Sequence, residues 1–208
     1  MLVSDVATRV KRQFGDEVGA QIDDTDVIRW CNDAQTEIAI QNRLLQTVAT
    51  QNTVVSQQNY SLPADLLALR GLRYDKLRLT LLSMDDIDNV VQDRTEDSGA
   101  PQYYWTYAEE VHLWPVPDEI KVLTVYYTAK PVTLTATGDT ISLPSQYDNR
   151  IVEYCIAQAA ELDDNLEHYQ LKMSQFQSGI DATKNALEQT ENEDQYPFIT
   201  YSPAEYYG

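Results

Sequence analysis

The sequence predicts an α+β fold: a helical bundle built from N- and C-terminal helices, with an inserted β-rich module and an extended C-terminal arm. Three observations predict it. Apolar residues recur at helical spacing before residue 45 and again after Pro144. Between those stretches the spacing shortens to two and β-branched and aromatic residues accumulate. The last residues follow neither period, yet five of the chain's twenty aromatics fall in its final thirteen positions. The division that follows is 1–45 with 144–191 for the bundle, 46–143 for the β module and 192–208 for the arm.

Ser4 is a good N-cap, so a first helix opens there and closes near Gly15. A second opens in "DDTDVIRW", where acidic residues suit the positive end of the helix dipole. Its stripe is Val27, Cys31, Ala34, Ile38 and Leu45, broken only by Gln41. From Gln46 the segments "LQTVATQNTVV", "QNYSLP" and "LRGLRYDKLRLTLL" read as strands. Ser83 caps a brief helix, "SMDDIDNVV", and "DRTEDSGAP" is a loop by composition. "QYYWTYAEEVHLWPVP" and "IKVLTVYYTAKP" read as a hairpin with a partner strand, and "TISLP" as one more short strand. Then the helical period returns. Ile151, Tyr154 or Cys155, Ala159 and Leu162 share one face. In the last helix Leu166, Tyr169, Met173, Phe176, Ile180 and Leu187 keep a heptad, with Thr183 in its one polar slot.

Charge narrows the functions. Fifteen Lys and Arg stand against 33 Asp and Glu, a net charge of -18, so a grip on phosphate backbones or anionic membranes is disfavoured. Small ligands, cations and other proteins remain. No stretch has the length of a membrane span, and the N-terminus lacks the apolar run of a secretion signal. Cys31 and Cys155, both inside helical patterns, read as two buried free thiols, which suits a reducing compartment.

Motifs for chemistry are sparse. None of the seven glycines falls in a phosphate-cradling spacing, and the two histidines lie in different modules. No catalytic, cofactor or metal residue is therefore assigned, and no cofactor is expected. In "ELDDNLEH", Glu161, Asp164 and His168 share a helical corner, a starting point for a metal-dependent acidic enzyme. Its helix-turn composition favours a solvated corner instead. Tyr103, Trp105, His112 and Trp114 resemble a sugar- or peptide-binding cluster, but their alternation favours cross-strand partners on one hairpin.

The order of pieces is itself informative. "DDTDVIRWCNDAQTEIA" leads to "YSLPADLLAL", then "LRYDKLRL", "GAPQYYW", "VHLWPVP", "VYYTAKP" and "LPSQYDNRIVEYCIAQAAEL" heading a long helix. Over roughly residues 20–190 this resembles the head-to-tail adaptor (connector, head-completion) proteins of tailed bacteriophages. The resemblance implies a structural virion protein of the neck, assembled in the host cytoplasm, and not an enzyme. It implies a ring of identical copies, commonly about twelve, beneath the portal, with a downstream tail or neck protein docked below. It also implies that DNA passes through the lumen without specific binding, which an acidic wall suits. A tail terminator or baseplate component is the alternative within the same class. For the arm, Tyr196, Pro197, Phe198, Tyr201, Pro203, Tyr206 and Tyr207 are the expected contacts with the portal or a neighbouring copy.

Overall fold

The computed structural model describes residues 1–16, 19, 21–83, 86–87 and 97–193, the last eight of them as backbone only. Its described helices are α1 (Val3–Gln13), α2 (Asp24–Gln41), α3 (Asp148–Leu162) and α4 (Leu166–Glu193). Eight strands lie between the second and third: β1 (Gln46–Asn52), β2 (Asn59–Ser61), β3 (Leu66–Tyr74), β4 (Leu77–Arg78), β5 (Thr80–Leu81), β6 (Tyr103–Tyr107), β7 (Glu110–Trp114) and β8 (Val122–Ala129). The predicted α+β class is the one observed.

The helices enclose one apolar core. Val3, Val6 and Val10 of α1, Val27, Cys31, Ala34 and Ile38 of α2, and Ile151, Cys155 and Ala159 of α3 meet Phe176 and Ile180 of α4. α3 is the central member, packing against α1, α2 and α4. The two thiols, 124 residues apart in the chain, lie 3.8 Å apart in this core, and burial followed by the Cys31 hydrogen bond pushes the Cys155 thiol up. Gly179 makes one close approach possible. A Cβ there would collide with the Arg150 guanidinium, which crosses α4 to donate to the Gln175 carbonyl at 3.2 Å and to pair with Glu153 at 2.7 Å.

Several local expectations shift. Leu2, not Ser4, is the N-cap of α1, because the first free N–H groups find carbonyls from a distant loop. Val3 N–H donates to the Asp139 carbonyl at 3.1 Å and Ser4 N–H to that of Thr137 at 2.9 Å. Gly15 does sit past the C-terminus of α1, at φ 67°. α2 stops at Gln41, short of Leu45, since Arg43 and Leu45 turn the chain with φ of 53° and 54°. The stripe of α4 is buried only in part: Phe176 is 1% exposed and Ile180 0%, but Leu166, at the turn from α3, is 65% exposed. Leu162 of α3 is exposed at the same corner. Leu187 is among the residues whose side chains lie outside the description. The helix capped by Ser83, whose hydroxyl accepts from Asp86 N–H at 3.2 Å, falls largely outside it too.

The strands form two four-stranded sheets, ordered β1-β8-β3-β4 and β2-β7-β6-β5. β6 and β7 are the expected hairpin, but β8 is not its partner. β8 pairs with β1 and β3 in the other sheet. Each sheet turns an apolar face toward the other, and packing them face to face removes both from water. Leu72, Leu123, Val125 and Tyr127 of one sheet thus meet Tyr60, Tyr104, Val111 and Leu113 of the other.

Residues 130–143 form no strand. "TISLP" contributes a single bridge, Thr140 to Leu2, and otherwise runs as an irregular strap along α2. Leu134, Ile141 and Leu143 insert into the helical core. Asn32 holds the strap in both directions: its Nδ2 donates to the Leu134 carbonyl at 3.0 Å and its Oδ1 accepts Leu134 N–H at 2.9 Å. Gln35, buried, donates to the Val132 carbonyl at 2.8 Å and accepts the Ser142 hydroxyl at 3.2 Å.

Two outcomes are expected. Phe176→Ala should cost about 3–5 kcal/mol in urea melts, while Leu166→Ala, made at a solvated position, should cost little. The second concerns Asp139. Its carboxylate accepts Thr135 N–H at 2.7 Å and Ala136 N–H at 2.9 Å, bonds that hold its pKa below the usual carboxylate range. A depressed folded-state pKa gives stability that is present above the unfolded value and lost as pH falls through the folded one. The stability gap between wild type and Asp139→Ala should therefore be widest near neutrality and shrink below about pH 4.

Candidate functional surfaces

The aromatic hairpin is a packed cross-strand ladder. Trp105 faces His112 with ring centroids 5.3 Å apart and planes within 9°, and Tyr103 faces Trp114 at 5.8 Å. Alternation along β6 and β7 puts these rings on one face of the sheet, with Leu82 and Ile87 packed against Trp105. Offset stacking of this kind adds about 0.5–1.5 kcal/mol per pair beyond burial. The rings are spent on each other.

The corner of Glu161, Asp164 and His168 does not converge. Glu161 and Asp164 are exposed, and Asp164 turns the chain between α3 and α4 at φ 51°. The His168 ring stacks on Phe14 at 5.9 Å. Among the described residues no group of three His, Cys, Asp or Glu is placed to hold a metal ion. No described helix is long and apolar enough to cross a membrane.

Two surfaces were not singled out by sequence. The first is the outer face of the β1-β8-β3-β4 sheet. Arg73 of β3 and Arg78 of β4 are direct cross-strand partners, and Arg70 lines the same shallow cavity of about 210 Å³ with Tyr126. The Arg73 guanidinium lies 5.7 Å over the Tyr126 ring. Arg70 Nε donates to the Thr128 hydroxyl at 3.2 Å, and burial, then the charge of Arg43, lowers its pKa. None of the four strands contains an Asp or Glu. The segment "LRGLRYDKLRL" shows the arginines, but the bulges between Leu66 and Gly71 decide which of them share a face.

The second surface is a cleft of about 420 Å³ between α2 and α4, lined by Asp33, Glu37, Tyr154, Met173 and Gln177 over Phe176. Burial, then the charge of Asp33, raises the Tyr154 hydroxyl pKa. The cleft wall holds no Lys or Arg. The arm residues Tyr196, Pro197, Phe198, Tyr201, Pro203, Tyr206 and Tyr207 lie outside the described residues. The helix before them continues through Glu193, two residues into the segment assigned to the arm.

The described chain is a helical core strapped to a β sandwich, an α+β protein with one arginine-rich face and one acidic cleft. The family model for the SU10 adaptor protein matches residues 1–200, and the chain belongs to that family, structural adaptor proteins of bacteriophages. None of the curated proteins compared matches the chain.

The solvated corner carries its own check. Asp164→Asn, which keeps a residue tolerant of positive φ, should leave the melting temperature unchanged with or without Mg²⁺ or Mn²⁺. A metal-induced rise of several degrees that this variant removes would reinstate a metal site.

Proposed function

We propose that the chain is a head-to-tail adaptor: a closed ring of identical copies, about twelve, seated beneath the portal at the neck of the virion. The ring extends the DNA channel and offers a docking platform to the next tail or neck component. The observation that carries this reading is the family match over residues 1–200. A net charge of -18 supports a wall along which DNA slides without being held.

Residues 192–208 are, in this reading, the arm that grips the portal or the adjacent copy through Tyr196, Phe198, Tyr201, Tyr206 and Tyr207, extended by Pro197 and Pro203. Burying five aromatics gains at most about 19–31 kcal/mol, while ordering seventeen residues costs roughly 25 kcal/mol. One arm alone binds weakly. A ring of arms holds through effective concentration.

Electron microscopy of the purified protein mixed with a portal tests the reading: rings stacked on the portal are expected, and failure to dock would overturn it. Deletion of 192–208 should shift the melting temperature by no more than about two degrees yet abolish stable docking. Unfolding of the truncated chain would instead make the arm part of the core.

A further inference from the structure

The arginine face presents a physical problem. Like charges directly opposite one another across an antiparallel pair repel, and Arg73 and Arg78 occupy such a position. Neither forms an ion pair among the described residues, nor do Arg43 and Arg70 beside them. In a chain with 33 acidic residues, a sheet whose four strands carry three arginines and no acid is a segregated charge, not an average surface. Exposed Val48, Val122 and Tyr126 extend the same face. It is partly apolar and cationic, and a neighbour supplying carboxylates would relieve its internal repulsion.

The acidic cleft between α2 and α4 has the complementary character. Asp33 and Glu37, one helical turn apart on α2, are exposed and form no ion pair among the described residues. Asp181 accepts from Gln177, a residue of the cleft wall, at 3.3 Å. The floor between them is apolar, from Met173, Phe176 and Tyr154. The cleft shares no residue with the arginine face, and the two belong to different cores.

We propose that the arginine face, centred on Arg73 and Arg78, docks against the Asp33 and Glu37 cleft of a second copy of this chain. The contact rests on the ring reading given above and specifies its lateral interface. Because the two surfaces differ, the contact is head-to-tail and propagates from copy to copy until it closes. Arg suits the role, since its planar fork meets a carboxylate with two parallel hydrogen bonds.

Salt separates this interface from an apolar one. At about 0.01 M salt the Debye length is roughly 30 Å, so the -18 charges of whole copies repel. Near physiological salt it falls to about 8 Å, which removes most of that repulsion but spares charges in contact. At about 1 M it is roughly 3 Å, and the contact pairs weaken as well. Self-association should therefore pass through a maximum, where a purely apolar contact would only strengthen with salt.

The test is sedimentation equilibrium of the full chain at these three salt levels, alongside Arg73→Glu/Arg78→Glu, Asp33→Lys/Glu37→Lys and the four changes combined. All four positions are exposed, and circular dichroism melts verify that each variant folds. Wild type should associate most strongly at the middle salt. Each double variant should lose about tenfold or more in association, and the combined variant should recover most of it. A wild type that stays monomeric throughout, a double variant that associates as wild type does, or a combination that recovers nothing overturns the proposal. So does a labelled DNA duplex whose binding needs Arg73 and Arg78 while self-association does not. Portal docking is read separately: a protein that associates through these faces but never docks keeps the interface and loses the adaptor reading. One that docks in rings indifferent to all four changes does the reverse.

Discussion

The architecture depends on two amide side chains on α2. Asn32 and Gln35 hold the strap 130–143 against the helix by hydrogen bonds to the main chain at Val132 and Leu134 and to the Ser142 hydroxyl. The strap is an irregular segment laid on an apolar core, and irregular backbone there has no ladder of its own to satisfy it. Each polar group left unpaired would cost about 1–3 kcal/mol. With those groups satisfied, Leu134, Ile141 and Leu143 can enter the helical core. The strap also supplies the Thr137 and Asp139 carbonyls that receive the first N–H groups of α1. One segment thus ties β8, α1, α2 and α3 into a single body.

That arrangement leaves the sandwich free to present a face. The sheet β1-β8-β3-β4 buries one side against the other sheet, through Leu72, Leu123, Val125 and Tyr127. Much of its opposite side is left to solvent, and there the arginines gather around Tyr126. The helical core does the same on its own flank, where Asp33 and Glu37 border the cleft over Phe176. The two patches of opposite charge lie on different modules. A protein with a net charge of -18 needs some such local exception if copies of it are to lie side by side.

Two groups of aromatic residues contrast in their sequence pattern. On the hairpin, Tyr103, Trp105, His112 and Trp114 pack against one another, as the parallel stack of Trp105 on His112 shows. They stiffen β6 and β7 and cover Leu82 and Ile87. Those at the end of the chain follow no strand or helix period, which is why they read as contacts with another molecule.

The sequence by itself determined the fold class, the helices that flank the β module, the face that α2 buries and most of the face that α3 buries. Repeating apolar spacing is a local signal, and Val27, Cys31, Ala34 and Ile38 fall on one side of a helix whatever they meet. The β6–β7 hairpin with its paired rings was legible for the same reason, because alternation along neighbouring strands fixes which residues face each other. Only the tertiary structure decided the rest. It moved β8 from the hairpin to the other sheet, since a sheet's partner depends on which apolar faces must cover one another. It turned "TISLP" into a strap, because polar contacts to Asn32 and Gln35 lie about a hundred residues away in the chain. It left Leu166 in water, since a heptad states where a stripe lies and not how far its neighbours reach. And it brought Arg70, Arg73 and Arg78 onto one surface through bulges and a cross-strand register that no local pattern encodes.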